Sequence, residues 1–152
     1  MATQQVLNST PPIDPAASDP PPALRPSALR TKIGWALTGL PCAMVFAAGA
    51  QKLVPHLPEP MIQGMRHMGI ELSLARTIGI IEVVVVALCL VPRTAFIGAI
   101  LFTGWAGGAI MTHLRVGEAV YVQVFLAIAV WIGLALRRPA ELGSLLGFRR
   151  GA

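Results

Sequence analysis

The sequence predicts an all-α membrane protein: an up-down bundle of four transmembrane helices, with a short interfacial helix between the first and second. Three observations predict it. Four apolar segments lie at about 33–54, 74–91, 95–112 and 119–136, each of about 18–22 residues and so long enough to cross a hydrocarbon core about 30 Å thick. Charge is scarce: 12% of the 152 residues are charged and 55% are hydrophobic, where soluble domains carry about 25% charged residues, and mean hydropathy is +0.67. The connections at Pro92-Arg93-Thr94 and at 113–118 are short, which makes the second, third and fourth segments antiparallel neighbours.

The elements follow in order. Residues 1–29 are rich in Pro, Ser, Ala and Thr, with Pro11-Pro12 and Pro20-Pro21-Pro22. Such a stretch cannot bury enough apolar surface to offset chain ordering, and it reads as a disordered cytoplasmic tail. The membrane domain spans 30–138. Its first helix carries Pro41 near the middle, where a kink is expected. Between the first and second helices, Met61, Met65 and Met68 fall on one helical face that ends at Gly69, the pattern of a short amphipathic helix resting on the membrane surface or capping the bundle. Arg137-Arg138-Pro139 stops the fourth helix. Residues 139–152, with Leu142, Leu145, Leu146 and Phe148 beside Arg149 and Arg150, form an interfacial tail.

Orientation follows from the basic residues. Arg25, Arg30, Lys32, Arg93, Arg137, Arg138, Arg149 and Arg150 fall on one side, and Lys52, Arg66, Arg76 and Arg115 on the other. The excess places both termini in the cytoplasm. The net charge of +5 does not indicate nucleic acid, because the basic residues sit at helix ends with no stripe and no interleaved aromatics. The preference for Arg over Lys, with abundant Ala, Gly and Pro, suggests a GC-rich bacterial genome and hence the inner (plasma) membrane. A signal peptide cleaved after Ala48-Gly49-Ala50 is the weaker reading of the first segment, since the apolar run is too long and three more follow.

Glu82 is the residue that most needs an explanation. It stands in Ile78-Gly79-Ile80-Ile81-Glu82-Val83-Val84-Val85-Val86, otherwise wholly apolar or Gly. Insertion scales put Asp, Lys and Arg at about +2.5 to +3.5 kcal/mol at a helix centre. A group of that cost faces a partner or a wet cavity. At 1.5 Å per residue, Glu82 lies about 12 Å inside the non-cytoplasmic end of its helix and Lys52 about 3 Å inside the same end of the first. A Lys52–Glu82 pair is therefore within reach, and His113 and Arg115 emerge on that side from the third helix. Two readings stand: an ion pair that fixes helix register, or a polar pocket for a quinone head group, a proton or a small anion, with Glu82 as proton acceptor and Lys52, His113 and Arg115 as binding groups.

Other features are less specific. Gly104 and Gly108, with Gly107 between, form a G-x-x-x-G pair that predicts close helix packing inside the bundle, against Ala43, Ala47 and Ala50 of the first helix, or else a homo-oligomer contact. Cys42 and Cys89 lie in apolar runs outside any C-x-x-C spacing and read as small hydrophobes. The methionines with His56 and His67 are more readily an apolar face than a copper(I) site, so no metal is assigned. The histidines all lie near one edge, which argues against haem.

Several short motifs together resemble the DoxX-like family: Gly49-Ala50-Gln51-Lys52, Ile78-Gly79-Ile80-Ile81-Glu82, Pro92-Arg93-Thr94-Ala95 with Gly98-Ala99, Gly107-Gly108-Ala109, and Thr112-His113-Leu114-Arg115-Val116-Gly117. The resemblance runs from about Gly34 to Arg138. It implies a four-helix inner-membrane protein of the wider DoxX/DoxD-like group. Some relatives there are subunits of quinone-linked sulfur oxidation or of membrane complexes tied to oxidative-stress defence. Lys52, Glu82, His113 and Arg115 match the family pattern. The expectation is a redox-associated subunit or accessory protein rather than a stand-alone enzyme, with a quinone as the one cofactor the pocket would take and soluble or membrane redox subunits as partners. The alternatives are a small proton- or cation-coupled transporter working through Glu82, and a membrane scaffold without chemistry.

Overall fold

A computed structural model of the chain describes residues 27–139, 142 and 143. The expected N-terminal tail up to residue 26, and most of the expected interfacial C-terminal tail, lie outside the described residues. The regular structure of the described residues is all helical, with no strand. Their helices are α1 (Ala28–Leu53), α2 (Glu59–His67), α3 (Ala75–Leu90), α4 (Ala95–Arg115) and α5 (Tyr121–Arg137), and a single 3-10 turn, Leu72–Leu74, leads into α3.

Local chemistry sets the ends. The Ser27 side chain accepts a hydrogen bond from the Arg30 amide at 3.3 Å, which satisfies one of the free amides of the first turn. The helix therefore starts five residues before the expected apolar boundary, so part of the expected tail is helix. Pro58 and Pro60 open α2, where a missing amide costs nothing. Its far end is a Schellman motif: Gly69 takes φ 65°, its amide reaches the Arg66 carbonyl at 3.0 Å and the Ile70 amide reaches Met65 at 2.8 Å. α4 runs a turn further than the apolar pattern, through Thr112 to Arg115. Gly117, with φ 75°, reverses the chain into α5.

The four long helices form a ring in which α1 packs on α3 and α5, and α4 closes the other side against both. Glycines let the backbones approach. A Cβ on Gly79 would stand 2.8 Å from the Gly49 carbonyl oxygen, and one on Gly49 would stand 2.9 Å from the Glu82 Cβ. Gly34 and Gly133 do the same for α1 and α5, and Gly98 packs against the α3 backbone at Leu88 and Cys89. The expected packing role of Gly104, Gly107 and Gly108 is corrected here. A Cβ on any of them would meet nothing within 4 Å, and Ala43 and Ala47 are exposed. α4 instead turns Ala95, Gly98, Ala99, Phe102 and Ala106 inward, leaving Gly104 and Gly107 exposed and Gly108 at the edge of a cavity.

The apolar core fills one half of the ring. Cys42, Val45, Val85, Val86, Cys89, Ala99, Phe102, Leu126, Val130 and Leu134 form one buried cluster, and Phe96 and Trp131, edge to face with each other, pack against it. Both cysteines are free and buried within it. The bundle exterior is apolar as well, with Leu40, Met44, Ile80, Val84, Ile97, Ile100, Phe125 and Ile128 exposed. So continuous an apolar surface suits lipid rather than water. Three helical stretches, α1, Leu72–Leu90 and α4, are long and apolar enough to cross a membrane, and α5 is a shorter fourth apolar helix of 17 residues, at the lower end of the range of about 17–25 that spans a bilayer.

Candidate functional site

The half of the bundle opposite the core, at the α2 end, is where polar groups collect. The Gly49–Gly79 crossing brings the last turns of α1 against the first turns of α3. That register sets Lys52 beside Glu82. Lys52 Nζ donates to both Glu82 carboxylate oxygens, at 2.7 and 3.0 Å, and to the Ala48 carbonyl at 3.2 Å. The side chains are 11% and 5% exposed. Glu82 and Thr38 are the buried polar side chains among the described residues. Trp105 of α4 supplies a third donor, its indole Nε1 lying 3.3 Å from Glu82 Oε1, while its ring packs on Phe102.

Above this cluster opens a cavity of about 710 Å³. Lys52, Glu82 and Trp105 lie in its wall with Gln51, Thr112, His113 and Gln123. The remaining lining is apolar or Gly and includes Ile78 and Ile81 of α3, Gly108 and Ala109 of α4, Val122 and Leu126 of α5, and Met61, Met65 and Met68 of the α2 segment. The methionine face of α2 is thus a wall of the cavity, and Met65 is buried. The volume falls inside the range of about 300–1,000 Å³ usual for small-molecule pockets, which likewise pair apolar walls with a few fixed polar groups.

Two contacts hold α2 in place. Glu118, in the turn before α5, meets His113 Nδ1 through Oε2 at 2.6 Å and His67 Nε2 through Oε1 at 2.9 Å, so it joins α4 to the end of α2. The hydrogen bond from His113, reinforced by the charges of His113 and His67, holds the Glu118 carboxyl below the usual carboxylate range. Arg115 Nη2 donates to the Met68 carbonyl.

The four residues expected to converge therefore divide. Lys52 and Glu82 are paired. His113 lines the same cavity but bonds Glu118. Arg115 is not in the cavity wall and fastens the chain just after α2. Trp105, Gln123 and Glu118 were not singled out from sequence, and His67, weighed there only as a copper(I) ligand, pairs with Glu118 instead. The five-residue spacing of His113 and Glu118 across Gly117 was a readable signal; the aim of Trp105 and Gln123 depends on how α4 and α5 are rotated, which the sequence does not disclose. Among the described residues, no group of three or more His, Cys, Asp or Glu side chains could hold a metal ion.

Apolar helices around a buried ion pair and a mixed cavity define a multi-pass helical membrane protein. The chain belongs to the DoxX-like family, whose model matches residues 36–136. Comparisons with curated proteins and with solved structures return no match.

Proposed function

We propose that this protein is a redox-associated subunit of a bacterial inner membrane that binds a quinone-type molecule in the cavity beside Glu82. In this reading the four long helices run up and down through the bilayer with both termini in the cytoplasm, as the excess of Arg and Lys on that side favours. The α2 end and its cavity then face the outer leaflet. Soluble or membrane redox subunits are the partners that would exchange electrons with the bound molecule.

The observation that carries the reading is the composition of the cavity wall. It is apolar over most of its lining and ends on the Lys52–Glu82–Trp105 cluster. Lys52 and Glu82 cancel in charge, so the site favours a neutral ligand over an ion, which would enter without a countercharge. Glu82 is placed to accept a proton from the ligand, and Lys52 to balance the charge left behind. A quinone supplies the matching redox chemistry when bound, and its ring and chain suit the methionine and isoleucine walls. Transport through Glu82 is disfavoured because the bundle beyond it is packed around Phe102, which is fully buried.

The test is quenching of tryptophan fluorescence by a short-chain benzoquinone, with the protein in lipid nanodiscs. Saturable quenching is expected, and it should be lost in Ala109→Phe, which fills the cavity. Quenching that never saturates, or that survives this substitution, would refute the reading.

A further inference from the structure

The hydrogen-bonding capacity left over in the cavity wall constrains the oxidation state of what binds there. This inference rests on the quinone-type reading above and makes it more specific. Donors deep in the wall are already spent. Lys52 uses its three on Glu82 and Ala48. The Trp105 indole uses its one on Glu82. The Thr112 hydroxyl donates to the Gly108 carbonyl at 2.8 Å.

Acceptors are left over. A carboxylate offers about four lone-pair positions, and Glu82 has three donor contacts. Gln123 Oε1 is buried with no hydrogen-bond partner, a condition that costs free energy until a donor arrives. The side-chain amide nitrogens of Gln51 and Gln123 are the donors in the set. A hydroxyl satisfies all of these groups, since it donates to the oxygens and accepts from the nitrogens. A carbonyl satisfies the nitrogens alone.

We infer that the site is selective for the reduced, hydroxyl-bearing form of its ligand: a neutral aromatic diol of the hydroquinone class with an apolar substituent. One hydroxyl would donate to Glu82 and one to Gln123. The protein would then hold the product of quinone reduction, or the substrate of hydroquinone oxidation, in preference to the quinone.

Isothermal titration of the full chain in nanodiscs decides this with three probes: a short-chain benzoquinone, its hydroquinone kept reduced with ascorbate, and the bis-O-methyl ether of that hydroquinone. The hydroquinone should bind about tenfold or more tightly than the quinone, and the ether no better than the quinone, given what a hydrogen bond to a charged acceptor contributes. Gln123→Leu, checked for folding by its thermal transition, should narrow the preference by about threefold or more. Quinone binding as tight as hydroquinone, or an ether that binds as well as the diol, overturns the selectivity while leaving a quinone-type site standing. Binding of none of the three overturns both.

Discussion

Replacing Lys52 by Met should destabilise the bundle, and most of that loss should return when Glu82 is also made neutral. Met keeps most of the Lys stem but removes all three donors. Glu82 is then left 5% exposed, with only the 3.3 Å contact from Trp105. Removing one partner of a buried pair costs about 3–5 kcal/mol. Lys52 is 11% exposed and lies beside a cavity that water can enter, so the low end of that range, about 3 kcal/mol, applies. Glu82→Gln keeps the shape and one acceptor oxygen but leaves the ammonium without its counterion, for a loss of about 1–2 kcal/mol. In the double variant no charge is stranded. The cycle should show a coupling of at least about 1 kcal/mol. Reversible unfolding in mixed micelles, titrated with SDS and followed by circular dichroism, measures all four corners. Single losses that add to within about 0.5 kcal/mol in the double variant would mean the two side chains do not act as a pair, and the account of the site would fail.

Other consequences can be checked separately. Gly79→Val puts a branched side chain where a Cβ already stands 2.8 Å from the Gly49 carbonyl, and should cost about 2–4 kcal/mol in the same unfolding titration; Gly104→Ala has open space and should be neutral or stabilising by up to about 1 kcal/mol. Trp105→Phe removes one donor from Glu82 while keeping a ring against Phe102, and should weaken ligand binding with a stability loss of only about 1 kcal/mol, a split that paired titration and unfolding data would show. The Glu118 carboxyl is held below its ordinary value by His113 and His67. Its contribution is therefore present above the ordinary carboxylate value of about 4.3 and is lost as pH falls through the lower folded value; a fluorine label on α2 should report one environment at pH 7 and growing mobility on acidification, whereas Glu118→Gln should report the mobile environment already at pH 7.

The helices were legible because apolar length is a local property of the chain. The Lys52–Glu82 pair was legible for a related reason: rise per residue converts sequence position into depth without any knowledge of helix rotation. Rotation was the part that could not be read. A helix that meets lipid on one side and neighbours on the other is apolar all round, so the 3.6-residue signal that orients helices in water is nearly erased. That is why Gly104 and Gly108 looked like the packing face of α4 when Gly98, Phe102 and Ala106 form it. It is also why Trp105, one residue from Gly104, gave no sign of facing Glu82. α2 is the exception. It is amphipathic, and its Met61, Met65 and Met68 face was predicted and lines the cavity, although sequence alone left open whether it met the membrane or the bundle.

The proposed occupant of the cavity beside Glu82 is a neutral quinone-type amphipath. Native mass spectrometry of the protein released from lipid tests it most directly. The account predicts an adduct of quinone or hydroquinone mass at one per chain, absent from Ala109→Phe that retains its fold. A spectrum with lipid adducts alone, or a quinone adduct unchanged by filling the cavity, would contradict it.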